Sequence, residues 1–254
     1  MTVLIHHITL SKARLAEIPE HERNLFILLG HSANEVSILS KLFHFCAETS
    51  SNETIIVKAE QAQALLLGRL LTGKIYEFWN LLQTGYFGSA VSRSYYEILD
   101  NETRNALDAM KRYFAQDNLV ARVRNSFAFH YDVSQIADGF QKVLEDESLD
   151  IYLSENNANS LYAFADTIAR RAMLESIFPA DHAKAFSMLV SETSRAAGWI
   201  NAIIGGLMVT CLQRNFGGNL YSLGAQVIEL DGAPSSQSVA IPFFVEVPKK
   251  LSEQ

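Results

Sequence analysis

A chain of 254 residues, 48% hydrophobic and 19% charged with only 5 prolines, is long enough to bury a core and too rich in apolar residues for extended disorder. Its formal net charge of -7 excludes a basic coat over the whole surface, as duplex DNA would require, while leaving room for a local basic site. Two cysteines, Cys46 and Cys211, stand far apart in apolar stretches and read as buried free thiols of a reducing compartment.

The opening residues Met1 to His7 lack the basic flank and long apolar run of a secretory leader, so a cytoplasmic location is expected. Pro19 fits a helix start. From Glu20 to Ala47 the apolar residues Leu25, Leu28, Leu29, Val36, Leu39, Phe43 and Cys46 recur at steps of helical period. Thr49 to Asn52 reads as a loop. A second helix is predicted from about Ala59 to Gln83, with Leu65, Leu66, Leu70, Ile75, Phe78, Trp79 and Leu82 on one broad face. Asp100 is the expected N-cap of a helix over Thr103–Ala115, and Asp117 that of the next helix, which carries Val120, Val123, Phe127 and Tyr131. Asp132 or Ser134 caps a further short helix ending near Glu145.

Beyond Ser148 the pattern changes. Asp150–Ser154 alternates weakly, as a short strand does. Helical period returns over Leu161–Ile177, stops at Pro179 and resumes from His182 to about Arg214. The last of these helices contains a charge-free run from Ala196 to Leu212, near the lower edge of membrane-spanning length. Asn201, Gly205, Gly206 and Thr210 favour a buried core or dimer helix instead, with the two glycines allowing close backbone approach, and no membrane partner is expected. Gln226–Leu230 and Val239–Val247 are rich in β-formers, and the Asp231–Ser236 stretch between them reads as the turn of a small C-terminal β-hairpin. The expected organisation is a helical unit over residues 1–148 and a helical extension with the hairpin over 149–254, packed as one body.

Several motifs fail on inspection. Gly68 to Ile75 nearly spells a P-loop, but Ile75 stands where a hydroxyl must hold Mg²⁺, and the segment lies within helical period. His31 and Glu35 share a helix face at i, i+4, one ligand short of a catalytic zinc set, so no metal and no cofactor is expected. With Asn34 they form a polar group among apolar residues. Such a group either supports a site from a neighbouring helix or fixes helix register. No Gly-x-Ser-x-Gly nucleophile elbow occurs.

One segment, Arg124-Asn125-Ser126-Phe127-Ala128-Phe129-His130, resembles the motif of the HEPN superfamily: an arginine, a polar neighbour, and a histidine four to six residues on. The resemblance covers residues 20–145. It implies an all-α helical bundle whose motif helices face each other across a dimer axis. It also implies metal-independent cleavage of single-stranded RNA, often in toxin–antitoxin pairs or antiphage defence, or a relative that only binds RNA, nucleotides or a regulatory protein. On that resemblance Arg124, Asn125 and His130 are the catalytic set, with Tyr131, Asp132, His31, Asn34 and Glu35 in support. Chemistry agrees. A neutral imidazole accepts the proton of a ribose 2′-hydroxyl near neutral pH, and a guanidinium binds phosphate in a bidentate manner. Asn125 suits orientation of the phosphate or the imidazole. Six residues of ideal helix, however, leave Arg124 and His130 about 120° apart around the axis and about 9 Å along it. A symmetric homodimer, placing two motif copies in one groove, would relieve this.

The same region is locally basic. Arg104, Lys111, Arg112, Arg122 and Arg124 face only Glu102, Asp108 and Asp117 in the sequence, and Lys111, Arg112 and Arg122 are the expected RNA-binding cations. Tyr95, Tyr96, Tyr113, Phe127, Phe129 and Tyr131 are of the type that stacks on bases, although Phe127 and Phe129 are at core spacing. Asp132 either holds His130 or caps the following helix. Two readings stay open: an endoribonuclease, and a non-catalytic binding module of the same architecture.

Overall fold

The computed structural model describes residues 2–47, 52–128, 133–217 and 224–246. Within them the chain is mainly α-helical, and a single two-stranded antiparallel sheet joins segments near its two ends. After strand β1 (Val3–His7) come α1 (Lys12–Glu17), α2 (Glu20–Ala47) and α3 (Thr54–Leu81). Three shorter helices follow: α4 (Ala90–Tyr95), α5 (Asn101–Phe114) and α6 (Leu119–Val123). The chain continues through α7 (Val133–Gln141), α8 (Ala163–Ile177), α9 (His182–Phe216) and strand β2 (Gln226–Leu230).

The helix α2 has the bounds its periodicity predicts, and buries Leu25, Leu29, Val36, Phe43 and Cys46 on one side. It packs along α3, whose apolar face includes Leu65, Leu71, Ile75 and Phe78. The P-loop-like segment lies inside α3, so its backbone N–H groups belong to the helix ladder. Gly68 there admits Phe43 and Leu189, each with an atom 3.2 Å from where a Cβ would stand. At its C-terminal end α3 widens into a π turn, Leu82–Tyr86, closed by the Phe87 N–H donating to the Leu82 carbonyl at 2.8 Å. Gly88 then reverses the chain with φ of 74°.

Asp100 caps α5 as expected, accepting from the Thr103 N–H at 2.7 Å. The cap of α6 is Asn118, not Asp117: its side chain accepts from the Ala121 N–H at 2.8 Å, while Asp117 pairs with Arg122. Of the two caps expected for the following helix, Asp132 lies outside the described residues and Ser134 lies within α7.

The organising element is α9, whose 35 residues extend about 52 Å. Asp181 caps it, and it ends at Gly217 with φ of 70°. It touches α2, α3, α5, α6 and α8. Its buried residues Leu189, Ile200, Ile203 and Leu207 join one apolar core with Leu29, Ile75, Met110, Val120 and Met173. By length and composition α9 could cross a membrane, yet half of its most apolar stretch is buried within the bundle. Of the two adjacent glycines only Gly206 serves close approach. It lies against Thr103 of α5, and Gly205 faces open space. Helix α7 meets α8 in a similar manner: Gly139 sits over the Ile168 carbonyl and Ala172.

The expected C-terminal hairpin is not formed by the described residues. β2 pairs with β1, running from Val3 opposite Leu230 to His7 opposite Gln226. Within Val239–Val247, residues 239–246 are described and contain no strand. Pro242 cannot donate to a ladder, and the Val245 N–H and C=O are both taken by the side-chain amide of Asn159. Phe243 and Phe244 pack beside Ala59, Leu161 and Ala163 instead. The strand expected at Asp150–Ser154 reduces to one bridge, Tyr152 to Leu161.

Candidate functional site

The segment after α6 does not continue as an α-helix. From Arg124 to Ala128 the backbone winds as a π turn, a wider geometry that shifts the phase of the side chains it carries. Val120 and Val123 are fully buried before it and Phe127 is buried within it, and these anchors turn Arg124 and Asn125 outward. Phe127 is therefore core, as its spacing suggested. His130, Phe129, Tyr131 and Asp132 lie outside the described residues.

Arg124 is held on three sides. Its Nη2 donates to Glu77 Oε1 and its Nη1 to Asn125 Oδ1, both at 3.1 Å. The guanidinium carbon stands 4.9 Å from the centre of the Tyr76 ring. The side chain is still 29% exposed, and its Nε is buried without a hydrogen-bond partner. Glu77 and Tyr76 come from α3, some fifty positions earlier, and no local pattern announces them as partners of Arg124.

The same helix brings in residues of α2. Lys74, three positions from Glu77 and thus its neighbour on the surface of α3, donates to Glu35 Oε1 at 2.5 Å. His31 Nε2 lies 3.9 Å from that oxygen. His31, Glu35, Lys74, Glu77, Arg124 and Asn125 thus follow one another across α2, α3 and the π turn. The α2 polar group stands largely at the surface: His31 is 72% exposed, Asn34 is exposed and Glu35 is half-buried. His31 and Asn34 can meet their hydrogen bonds with water, while Glu35 ties α2 to α3 through Lys74.

The expected RNA-binding cations have different surroundings. Arg122 is committed to Asp117 and to the Ser176 carbonyl. Arg112 is exposed on α5. Lys111 lies beyond an aromatic row that starts at Arg124. Tyr76 meets Phe114 at 5.9 Å, Phe114 stacks on Trp79 at 4.9 Å, Trp79 meets Phe87 at 5.7 Å, and the Lys111 Nζ is 4.3 Å from the centre of the Phe87 ring.

Other chemistries find less support. Burial pushes the Cys46 thiol up, and takes the Cys211 thiol to about 11, so neither is a ready thiolate nucleophile. Burial also raises the phenols of Tyr95 and Tyr113 and takes Tyr86 to about 12, keeping them as hydroxyl donors. A cleft of about 390 Å³ between α3, α8 and α9 contains Arg170 and His182, but His182 is held by Glu175 at 3.1 Å and none of the Arg124 residues reach it. Among the described residues no three His, Cys, Asp or Glu side chains gather as a metal site would need.

Comparisons with protein families, curated proteins and solved structures found no match to this chain.

Proposed function

We propose that the chain is a HEPN-like, metal-independent endoribonuclease acting on single-stranded RNA. The observation that carries the reading is Arg124: a guanidinium held at the surface by Glu77, Asn125 and Tyr76, on a helix that departs from α geometry at that residue. A cation at the surface held in one orientation is what stabilisation of charge on a phosphoryl group requires. In the proposed reaction His130 takes the proton of a ribose 2′-hydroxyl. The freed oxygen bonds to the adjacent phosphorus, and the bond from phosphorus to the 5′-oxygen breaks. The imidazolium returns its proton to that leaving oxygen. The products are a 2′,3′-cyclic phosphate and a 5′-hydroxyl. Arg124 and Asn125 bind the non-bridging oxygens, and Glu77 releases Arg124 as the phosphate enters. The acting unit is a homodimer in which two motifs share a groove. A toxin or defence role in the cytoplasm, with an antitoxin or regulatory protein as partner, follows the same resemblance.

The purified protein should cut single-stranded RNA in EDTA and leave cyclic phosphate ends. His130→Ala should lower the rate by at least about a hundredfold, the loss expected for a general base. Undiminished cleavage by that variant would refute the assignment. A second reading is a non-catalytic RNA-binding module, favoured by the Arg124–Glu77 ion pair, which already occupies the cation. It predicts RNA binding without cleavage, weakened by Arg124→Ala and indifferent to His130→Ala.

A further inference from the structure

A second basic feature lies where the π turn at the end of α3, the short helix α4 and α5 meet. A cleft of about 370 Å³ opens there, within the range of small-molecule sites. Arg93, Arg104 and Lys111 reach it from α4 and α5, and Asp108 is the one acid in its lining. None of the three cations forms an ion pair among the described residues, whereas Lys58, Lys74, Arg122, Arg124 and Arg171 all do. Arg93 uses one N–H on the Gly88 carbonyl at 2.7 Å, which leaves most of its donors. The Arg104 Nε is buried and has no hydrogen-bond partner.

The walls are aromatic. The Arg104 guanidinium carbon stands 6.0 Å from the Tyr96 ring centre, and Tyr96 is one of the most exposed large side chains of the protein at 65%. Phe87, half-buried, forms the other wall beside Lys111. Three cations against the single carboxylate of Asp108 line this cleft, and in a protein of net charge -7 they stand out as an electropositive spot. Cations that outnumber the nearby acid and form no ion pair suit phosphate oxygens, and an exposed phenol ring suits a planar heterocycle stacked on its face.

We propose that this cleft binds a nucleoside phosphate, with the phosphate on Arg104, Lys111 and Arg93 and the base against Tyr96. The ligand is a free nucleotide or one nucleotide unit of an RNA strand. The site goes beyond the proposed cleavage and depends on neither Arg124 nor His130.

Calorimetric titration of the whole chain tests it with four probes: AMP, adenosine, inorganic phosphate and a short oligoadenylate. AMP should bind saturably and more tightly than adenosine or phosphate. Binding of the oligonucleotide without AMP, read in the His130→Ala protein so that no cleavage contributes heat, would assign the site to a strand. The double variant Arg104→Gln, Lys111→Gln should weaken whichever probe binds by about tenfold or more, and Tyr96→Ala should erase the preference for AMP over phosphate. Circular dichroism confirms that each variant is folded. Since Lys111 and Tyr96 are exposed, Lys111→Gln alone serves if Arg104→Gln does not fold. His130→Ala should bind as the parent does, so this site and the cleavage reaction fail separately. Absence of binding by both AMP and the oligonucleotide, or affinity unchanged in the cation variants, overturns the proposal. Phosphate binding as tightly as AMP also overturns it, because the base would then contribute nothing.

Discussion

At the scale of single residues, two adjacent glycines of α9 show how differently one residue type is used. A Cβ on Gly206 would stand 1.8 Å from Thr103 Oγ1, whereas one on Gly205 meets nothing within 4 Å. The Thr103 side chain has little freedom to give way, since it is buried and its one hydroxyl proton is directed to Asp100 Oδ2 at 3.1 Å, with the Ala202 carbonyl at 3.4 Å as the alternative acceptor. Gly206→Ala should therefore force α5 and α9 apart and cost about 1–3 kcal/mol, the usual range for overpacking. Gly205→Ala should stabilise the protein by about 0.5–1 kcal/mol through helix propensity alone. Thermal denaturation of the two variants beside the parent decides the matter, and a loss of stability in Gly205→Ala would refute the contrast. In the sequence the pair read as equivalent. Which glycine faced a neighbour depended on the rotation of α9 about its axis, and that is set by contacts spread along the whole helix.

At the scale of elements, the ends of α2, α4 and α9 are tied by a buried carboxylate. Glu22 is 6% exposed. It accepts from the Tyr95 hydroxyl at 2.5 Å and from the Asn215 amide at 2.6 Å. Glu22→Ala would leave the buried Tyr95 hydroxyl without its acceptor, at about 1–3 kcal/mol, while the half-buried Asn215 amide keeps its bond to the Cys211 carbonyl at 2.9 Å. Glu22→Gln keeps an acceptor oxygen and should lose distinctly less. Chemical denaturation of both variants measures the difference, and equal losses would show that packing, not hydrogen bonding, sets the value of the position. Helix bounds such as Glu20–Ala47 were legible because an amphipathic period and a preceding proline are local properties. The Glu22 network was not, since its members are 73 and 193 residues from Glu22. Nor was β1, whose partner strand lies at the other end of the chain, so that no turn or spacing marks the pair. The same limit applied at the candidate site. Arg124 and Asn125 stood out by residue type and spacing, but Glu77 and Tyr76, which hold Arg124, come from α3. Arg93, which completes the second basic cleft, is a lone arginine among serines and tyrosines with nothing nearby to draw notice.

At the scale of the whole molecule, the division of the sequence near residue 148 does not divide the apolar core. Ile75, Phe78 and Met110 from one side of it and Leu189, Ile200 and Ile203 from the other are all fully buried in one cluster. Removing the later segment would strip α3 and α5 of the helix that covers them, and the exposed apolar surface would leave the remainder without a favourable folded state. Folding should accordingly be a single cooperative event across both segments. The two tryptophans provide the means to test this, because Trp79 lies on α3 and Trp199 on α9. Fluorescence of Trp199→Phe then reports α3, and fluorescence of Trp79→Phe reports α9. Within each variant, the urea midpoint read by fluorescence should coincide with that read by far-ultraviolet circular dichroism, as an all-or-none transition requires. A fluorescence transition displaced from the dichroism transition in either variant would mean that α9 and the preceding helices unfold separately. The continuous core would then be a contact between two independent bodies. Trp79 stacks on Phe114 and its replacement disturbs the core, so the two variants need not share a midpoint, and only the agreement of probes within each one carries the inference.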